Sequence, residues 1–161
     1  MLLQTKEDHI DFLNKRIIET VSKLLNQNEN VLTVMISAQA IEVLGAYLDD
    51  KPMRAKGLSA KRFELALYKL FPKKYAEVNT KSFLYSQMRA CLTHMFIPTS
   101  SLLIVGNQDS EYYKHLEIEN ETIVIKVEEL YKDLINATNK VKKLLFEGKI
   151  RPKKISISSR Y

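Results

Sequence analysis

One segment, residues 31–48, is apolar on nearly every helical face, and it constrains the fold more than any other feature of the sequence. A helix that is hydrophobic all round must be buried. Thr33, Ser37, Gln39 and Glu42 interrupt the segment, which favours the central helix of a soluble bundle over a membrane span. Because buried polar groups need partners, the Glu42 carboxylate is expected to meet a cation from a neighbouring helix.

Amphipathic patterns on both sides of this segment predict further helices. Apolar residues recur every three or four positions over residues 7–25 and again over residues 127–147. Shorter helices are expected over residues 59–71, with Ser59 as the N-cap, and over residues 79–96, ahead of Pro98. Only four Gly and four Pro among 161 residues agree with a mainly helical chain.

A small β-hairpin is predicted before the last helix. Residues 115–126 alternate between polar and apolar, and the pattern is mirrored about Asn120-Glu121 as a two-residue turn requires. Residues 101–105 also have a strand-like composition. The sequence therefore predicts a mainly α fold, a bundle of about five helices with a small β-hairpin inserted before the last long helix. We expect one domain over residues 1–148 and an extended basic tail over residues 149–161.

Positive charge is concentrated in the middle and at the end of the chain. The net charge is +6, yet residues 51–89 carry ten bases and two acids, and residues 149–161 carry no acid. Such clustering is the electrostatic outline of a phosphate-binding surface, although a solvated lysine-rich face has the same composition. The candidate RNA-binding residues are Lys51, Arg54, Lys56, Lys61, Arg62, Lys73, Lys74, Lys81, Arg151, Lys153 and Lys154.

Common catalytic and cofactor motifs are missing from the sequence. It has no glycine-rich phosphate loop, no HExxH and no GxSxG, and one Cys with three His is too few for a Cys/His zinc cluster. No metal and no cofactor are expected. His9 and His115 are expected to be surface or half-buried histidines, whereas His94 follows Arg89 by five positions at the end of an apolar helix.

This R-x4-H spacing of Arg89 and His94, in a small helical chain, resembles the HEPN superfamily (higher eukaryotes and prokaryotes nucleotide-binding). Tyr85, four residues before the arginine, is similar to the family's flanking pattern, as are Leu92 before the histidine and Pro98 after it. The helix that contains Glu42 also looks like the acidic helix that packs beside the motif in that family.

The resemblance covers about residues 5–148 and implies a homodimer with an active site composed from both chains. A cytoplasmic location is expected because acidic residues follow a very short apolar start at the N-terminus, which does not fit a signal peptide. The resemblance further implies RNA as the substrate, a prokaryotic defence or toxin-type role, an antitoxin or other protein partner, and no membrane association. Ala90 stands where active members usually carry Asn, Asp or His, and Phe96 stands where an adenylylation-controlled branch has tyrosine.

Helical geometry separates the two motif residues. On an ideal α-helix a spacing of five is about 500°, so Arg89 and His94 project about 140° apart. Either the helix loosens near Thr93, or the two groups converge with a second copy across a twofold axis. Tyr85 lies one turn from Arg89, where its ring can support the guanidinium, and Gln87 lies on the histidine's face.

The expected function is a metal-independent endoribonuclease, because the chain offers no metal-binding carboxylate cluster. His94 would act as general base or acid, Arg89 would hold the scissile phosphate, and the RNA 2′-hydroxyl would be the nucleophile. The alternative is a non-catalytic HEPN-like dimeric module that binds RNA or a protein. A third interpretation is an all-helical interaction protein in which the motif is coincidental.

Overall fold

Six helices form most of the computed structural model, which describes residues 2–106 and 111–156. The first is continuous from residue 6 to residue 26 and comprises α1 (Lys6–Phe12), a π-helical segment (Leu13–Ile18) and α2 (Glu19–Asn26). A capping box between Thr5 and Asp8 starts it. The next three are α3 (Asn30–Leu48), α4 (Ser59–Leu70) and α5 (Lys73–Val78).

The fifth helix carries Arg89 and His94, and it is irregular. A 3₁₀ turn (Thr80–Ser82), in which two residues have positive φ, leads into it. A π-helical segment (Tyr85–Cys91) and then α6 (Leu92–Met95) complete it. The helix predicted over residues 79–96 is therefore present, but its backbone follows an α-helical path only in part.

A three-stranded sheet lies between this helix and the last one, α7 (Val127–Phe146). Its strands are β2 (Leu102–Val105), β3 (Ile118–Glu119) and β4 (Thr122–Lys126), with β4 in the centre. β3 pairs antiparallel with β4, and β2 pairs parallel with β4. Asn120 and Glu121 form the predicted turn, both with positive φ, as a type I′ hairpin requires. The mainly α fold with a β-hairpin before the last helix is confirmed.

The core is organised around α3, which packs against α4 and α7. α3 is long and apolar enough to cross a membrane by composition, but 61% of its most apolar window is buried within the protein. Gly45 allows the closest approach of the bundle, because a Cβ atom there would lie 1.9 Å from the carbonyl oxygen of Arg62 in α4. The apolar segment of residues 31–48 is thus the core helix of this bundle.

The C-terminal segment belongs to the fold as far as residue 156. β5 (Ile155–Ser156) pairs antiparallel with β1 (Leu2–Leu3). The Lys153 ammonium donates hydrogen bonds to the Asp49 carboxylate and the Lys51 carbonyl, both at 2.7 Å, at the carboxyl end of α3. Contrary to the expected extended tail, residues 149–156 pack against the helices. Residues 157–161 of the predicted tail lie outside the described residues.

Candidate functional site

Arg89 and Glu42 form an ion pair between the π-helical segment and α3. The Arg89 Nε lies 3.3 Å from Glu42 Oε2, and the Arg89 Nη1 donates to the Thr93 hydroxyl at 2.9 Å. Ser59, predicted as an N-cap, is instead the first residue of α4 and donates its hydroxyl to Glu42 Oε1 at 2.8 Å. Both carboxylate oxygens of Glu42 are therefore satisfied, and the guanidinium is held from two sides.

This pair is partly buried, with the Arg89 side chain 25% exposed and that of Glu42 23% exposed. Partial burial weakens screening by solvent and makes the pair stronger than a surface salt bridge. Among the described residues, the Arg89 Nη2 has no protein hydrogen-bond partner. Its N–H groups remain available to an anion, and guanidinium groups bind phosphate oxygens well.

His94 lies near the end of α6 and is exposed. Met95, Phe96 and Ile97 follow it and are 67%, 59% and 64% exposed. We call these three residues the apolar tip. Single exposed apolar side chains are ordinary, whereas three adjacent ones form a larger apolar patch beside the candidate catalytic histidine.

The π-helical segment changes the angle between Arg89 and His94. Its backbone closes hydrogen bonds over five residues instead of four, so each residue turns the chain less than in an α-helix. Arg89 lies inside this segment, and the two side chains therefore diverge by less than the 140° of a regular helix. The helix does loosen, but over Tyr85–Cys91 rather than at Thr93. Segments of this kind occur often at functional sites.

Tyr85 and Gln87 make other contacts than those expected. The Tyr85 ring packs edge-to-face against Phe63, with ring centroids 5.6 Å apart, and within the described residues no cation–π contact joins it to Arg89. The Gln87 amide oxygen accepts a hydrogen bond from the Thr99 hydroxyl. Gln87 therefore ties the residue after Pro98, Thr99, to the π-helical segment, just beyond the end of the apolar tip.

Two candidate RNA-binding residues serve the fold instead. Arg62 is 4% exposed; it donates to the Asp49 carboxylate at 2.7 Å and to the backbone carbonyls of Pro52 and Met53. Lys153 binds the same carboxylate. Burial raises the pKa of Asp49, but hydrogen bonds from Arg62 and Lys153 outweigh this effect and lower the pKa overall. These two cations anchor the loop after α3, so neither is available to RNA as a surface charge.

The other nine candidate RNA-binding residues are exposed, but they do not form the single phosphate-binding surface that the sequence predicts. Lys73 pairs with Glu77, and Lys74 approaches the His115 carbonyl. The loop after α3 and the C-terminal segment bring a subset into one cleft. The exposed candidates are Lys51, Arg54, Lys56, Lys61, Lys73, Lys74, Lys81, Arg151 and Lys154.

A hydrogen-bonded network of titratable residues was missed by sequence reasoning. The Lys126 backbone N–H donates to His115 Nδ1 at 3.0 Å, so the neutral ring carries its proton on Nε2, which lies 2.8 Å from the Tyr75 hydroxyl. Tyr75 in turn donates to Asp133 Oδ2 at 3.0 Å. Burial, reinforced by Lys74 and Lys126, lowers the pKa of His115 to about 4. These residues are remote in sequence, and no local motif signals their contact.

His9 is fully buried, against the expectation of a surface or half-buried residue. Its Nδ1 lies 2.7 Å from the hydroxyl of Tyr47, and burial lowers the pKa of the His9 ring. Neither His9 nor His115 is therefore placed for solution chemistry. His94 is the exposed histidine of the described chain.

No protein-family model matches the chain, and no curated protein or solved structure matches it either. Within the described residues, no group of three or more His, Cys, Asp or Glu side chains is placed to hold a metal ion.

Proposed function

We propose that this chain is a metal-independent endoribonuclease that acts as a homodimer in the cytoplasm of a prokaryote, in a defence or toxin-type system. The observation that supports this most directly is an exposed His94 on the same helix as a guanidinium, that of Arg89, which Glu42 and Thr93 hold in place. A protein partner such as an antitoxin would act by covering this surface.

The chemistry follows from the groups present. Arg89 binds the scissile phosphate through the side of its guanidinium not used by Glu42, and it stabilises the charge that develops on the phosphorane oxygens. His94 removes the proton from the RNA 2′-hydroxyl or delivers one to the leaving 5′-oxygen. The 2′-oxygen attacks the adjacent phosphorus, the P–O5′ bond breaks, and the products carry a 2′,3′-cyclic phosphate and a 5′-hydroxyl.

Dimerisation supplies what one chain lacks. The π-helical segment reduces the divergence of Arg89 and His94, but it ends at Cys91 and covers only part of the turn between them, so the two side chains still project apart. The apolar tip also favours a dimer, because three adjacent apolar side chains beside His94 are best covered by the same surface of a partner chain. A twofold axis near the tip would bring two Arg89–His94 pairs together.

A non-catalytic RNA- or protein-binding dimer is the second candidate. Ala90 supports it, because active HEPN-like nucleases usually carry a polar residue at that position. The Glu42–Arg89 pair also has a structural explanation, since it joins α3 to the helix that carries the motif. In this interpretation Arg89 is an architectural residue, and His94 has no chemical task.

Cleavage of labelled RNA, with and without chelator, tests the proposal. We expect cleavage that is insensitive to chelator, yields 2′,3′-cyclic phosphate ends and fails on a substrate with 2′-deoxyribose throughout. His94→Ala should abolish cleavage while leaving RNA affinity nearly unchanged, whereas Arg89→Ala should reduce both. Arg16→Ala, at an exposed arginine of the first helix, is the matched control and should behave as wild type.

The second candidate predicts a different pattern. If wild type binds RNA, no preparation cleaves it and His94→Ala changes nothing, the dimer is a binding module. If cleavage survives His94→Ala, the activity belongs to a contaminant or to other residues, and the proposed mechanism is wrong.

A further inference from the structure

A groove runs along the C-terminal segment. Its widest part is a cleft of about 660 Å³ between the loop after α3 and residues 149–154. A hollow of about 150 Å³ shares Pro52 and Lys154 with this cleft. A third hollow, of about 130 Å³, shares Met53 and Ile155 with the second and reaches Glu42. Neighbouring hollows share lining residues, so the three adjoin one another along the C-terminal segment, and together we call them the groove.

One end of this groove adjoins the Arg89 site. Glu42 lines the groove at that end and binds Arg89 Nε at 3.3 Å. Asp49 lines the other end, seven residues further along α3 and its C-cap. At 1.5 Å per residue the two carboxylates are separated by about 10 Å along the helix axis. The groove therefore extends about 10 Å along the helix axis from the carboxylate that holds Arg89.

The charge along the groove is positive. Seven cations and three carboxylates line it. Each of the carboxylates, Glu42, Asp49 and Asp50, is already paired with a cation. Arg54, Lys154 and Arg151 are exposed along its rims, and among the described residues none of them has a carboxylate partner. Between them the walls are largely apolar, with Val43, Met53 and other aliphatic side chains.

We infer that this groove binds the RNA strand that flanks the phosphodiester held by Arg89, with Arg54, Lys154 and Arg151 contacting successive backbone phosphates. The inference rests on the proposed function and extends it to a substrate path. Rim cations beside apolar walls suit a single strand, because the cations can contact the backbone phosphates while the bases pack on the apolar side chains. An acidic peptide would match the charge of the groove, but it has no phosphodiester for Arg89 to hold at the end of the groove.

The test uses a variant of the full chain, R54A/R151A/K154A, and a control of equal charge loss, R16A/K23A/K132A, at exposed positions outside the groove. The probe is a fluorescein-labelled 2′-O-methyl RNA octamer, which binds but cannot be cleaved, and anisotropy is read between 50 and 200 mM salt. Losing three phosphate contacts should make the slope of log affinity against log salt concentration shallower by about 2. Between 50 and 200 mM salt the groove variant should therefore lose about 16-fold less affinity than wild type. The control should change the slope by less than half as much.

A dinucleotide substrate separates the groove from the active site. It occupies the Arg89 site alone, so its cleavage should be the same in wild type and the control variant R16A/K23A/K132A, and the groove variant should lose far less dinucleotide cleavage than octamer binding. Equal slope changes in both triple variants would overturn the groove, even if wild type cleaves RNA. If wild type fails to cleave but the groove variant selectively loses octamer binding, the groove stands as an RNA-binding surface and the nuclease proposal falls.

Discussion

Acidification should destabilise this protein through His115, and the size of the effect follows from its surroundings. The ring accepts the Lys126 backbone N–H at Nδ1, faces the Tyr75 hydroxyl at Nε2 and lies near the Lys74 and Lys126 ammonium groups. Burial is the largest cause of its lowered pKa, and the Lys74 and Lys126 ammonium charges add to it, so the pKa falls from 6.5 to about 4, whereas the Tyr75 hydroxyl accepts from Nε2–H and does not favour the neutral ring.

The sign is fixed by which state takes up the proton. Above pH 6.5 the ring is neutral in both states, so its contribution to stability is complete. Between pH 6.5 and 4 the unfolded chain binds a proton that the folded chain does not, and stability falls as the pH falls. The full loss approaches about 3.4 kcal/mol, and about 2 kcal/mol of it should be gone at pH 5 relative to pH 7.5.

Urea unfolding followed by circular dichroism at pH 7.5 and 5.0 measures this loss. His115→Gln removes the titrating group and keeps a polar side chain, so its unfolding free energy should fall by about 2 kcal/mol less than that of wild type over the same interval. His9, whose pKa burial also lowers, and Asp133, whose pKa burial raises, titrate in both proteins and cancel in the comparison.

Tyr75→Phe distinguishes burial from hydrogen bonding as the cause. Since burial is the larger influence on the His115 pKa, this variant should keep most of the loss between pH 7.5 and 5.0. Equal losses in wild type and His115→Gln would refute the reasoning, because they would show that His115 does not titrate abnormally in the folded protein.

Three further outcomes are expected. Arg89→Ala should lower the free energy of unfolding by about 1–2 kcal/mol, less than the 3–5 kcal/mol of a fully buried pair, because Glu42 is partly exposed and keeps its hydrogen bond from Ser59; a thermal melt with a loss above that range would make the pair chiefly architectural. Lys153→Met should cost about 2–3 kcal/mol in urea unfolding, because Asp49 and two backbone carbonyls lose a shared donor, whereas Lys154→Met should change little; equal effects would contradict the assigned role of Lys153. Phe96→Asp should convert the dimer to a folded monomer in sedimentation, since Asp tolerates the φ of 55° found at Phe96; an unchanged dimer would remove the apolar tip from the interface.

The elements that depend on local pattern could be predicted from the sequence. The long apolar run of residues 31–48 and the mirrored alternation about Asn120-Glu121 can each be recognised from adjacent residues, and both elements formed as expected. The short helix α5 was missed, because its six residues are too few to show a helical period. The π-helical turns were missed as well, since a shift from four-residue to five-residue hydrogen bonding is decided by packing and leaves no period in the sequence.

Long-range partners explain the remaining differences. Arg54 and Arg62 look alike in a basic stretch, yet one is exposed and the other is buried on Asp49, and only the fold shows which carboxylate is near. Lys153 reaches the same carboxylate from a position 104 residues away. A count of basic residues therefore predicted the sign of the surface charge but not which cations are free to bind phosphate.

The two motif residues differ in how well the single chain prepares them for the proposed catalysis, and this difference connects the proposed dimer to the proposed chemistry. Arg89 is held through Nε and Nη1, so binding a phosphate requires no reorganisation of the guanidinium, which is the condition for strong electrostatic stabilisation. Among the described residues the His94 ring has no hydrogen-bond partner, so neither its orientation nor its tautomer is fixed. A general base works efficiently only when its ring is positioned. The neighbouring apolar tip offers the means: burial of Met95, Phe96 and Ile97 against a second chain would immobilise the end of the helix and place His94 opposite an Arg89 that is already in position. A protein that stays monomeric would then retain the phosphate-binding half of the site and lack the proton-transfer half.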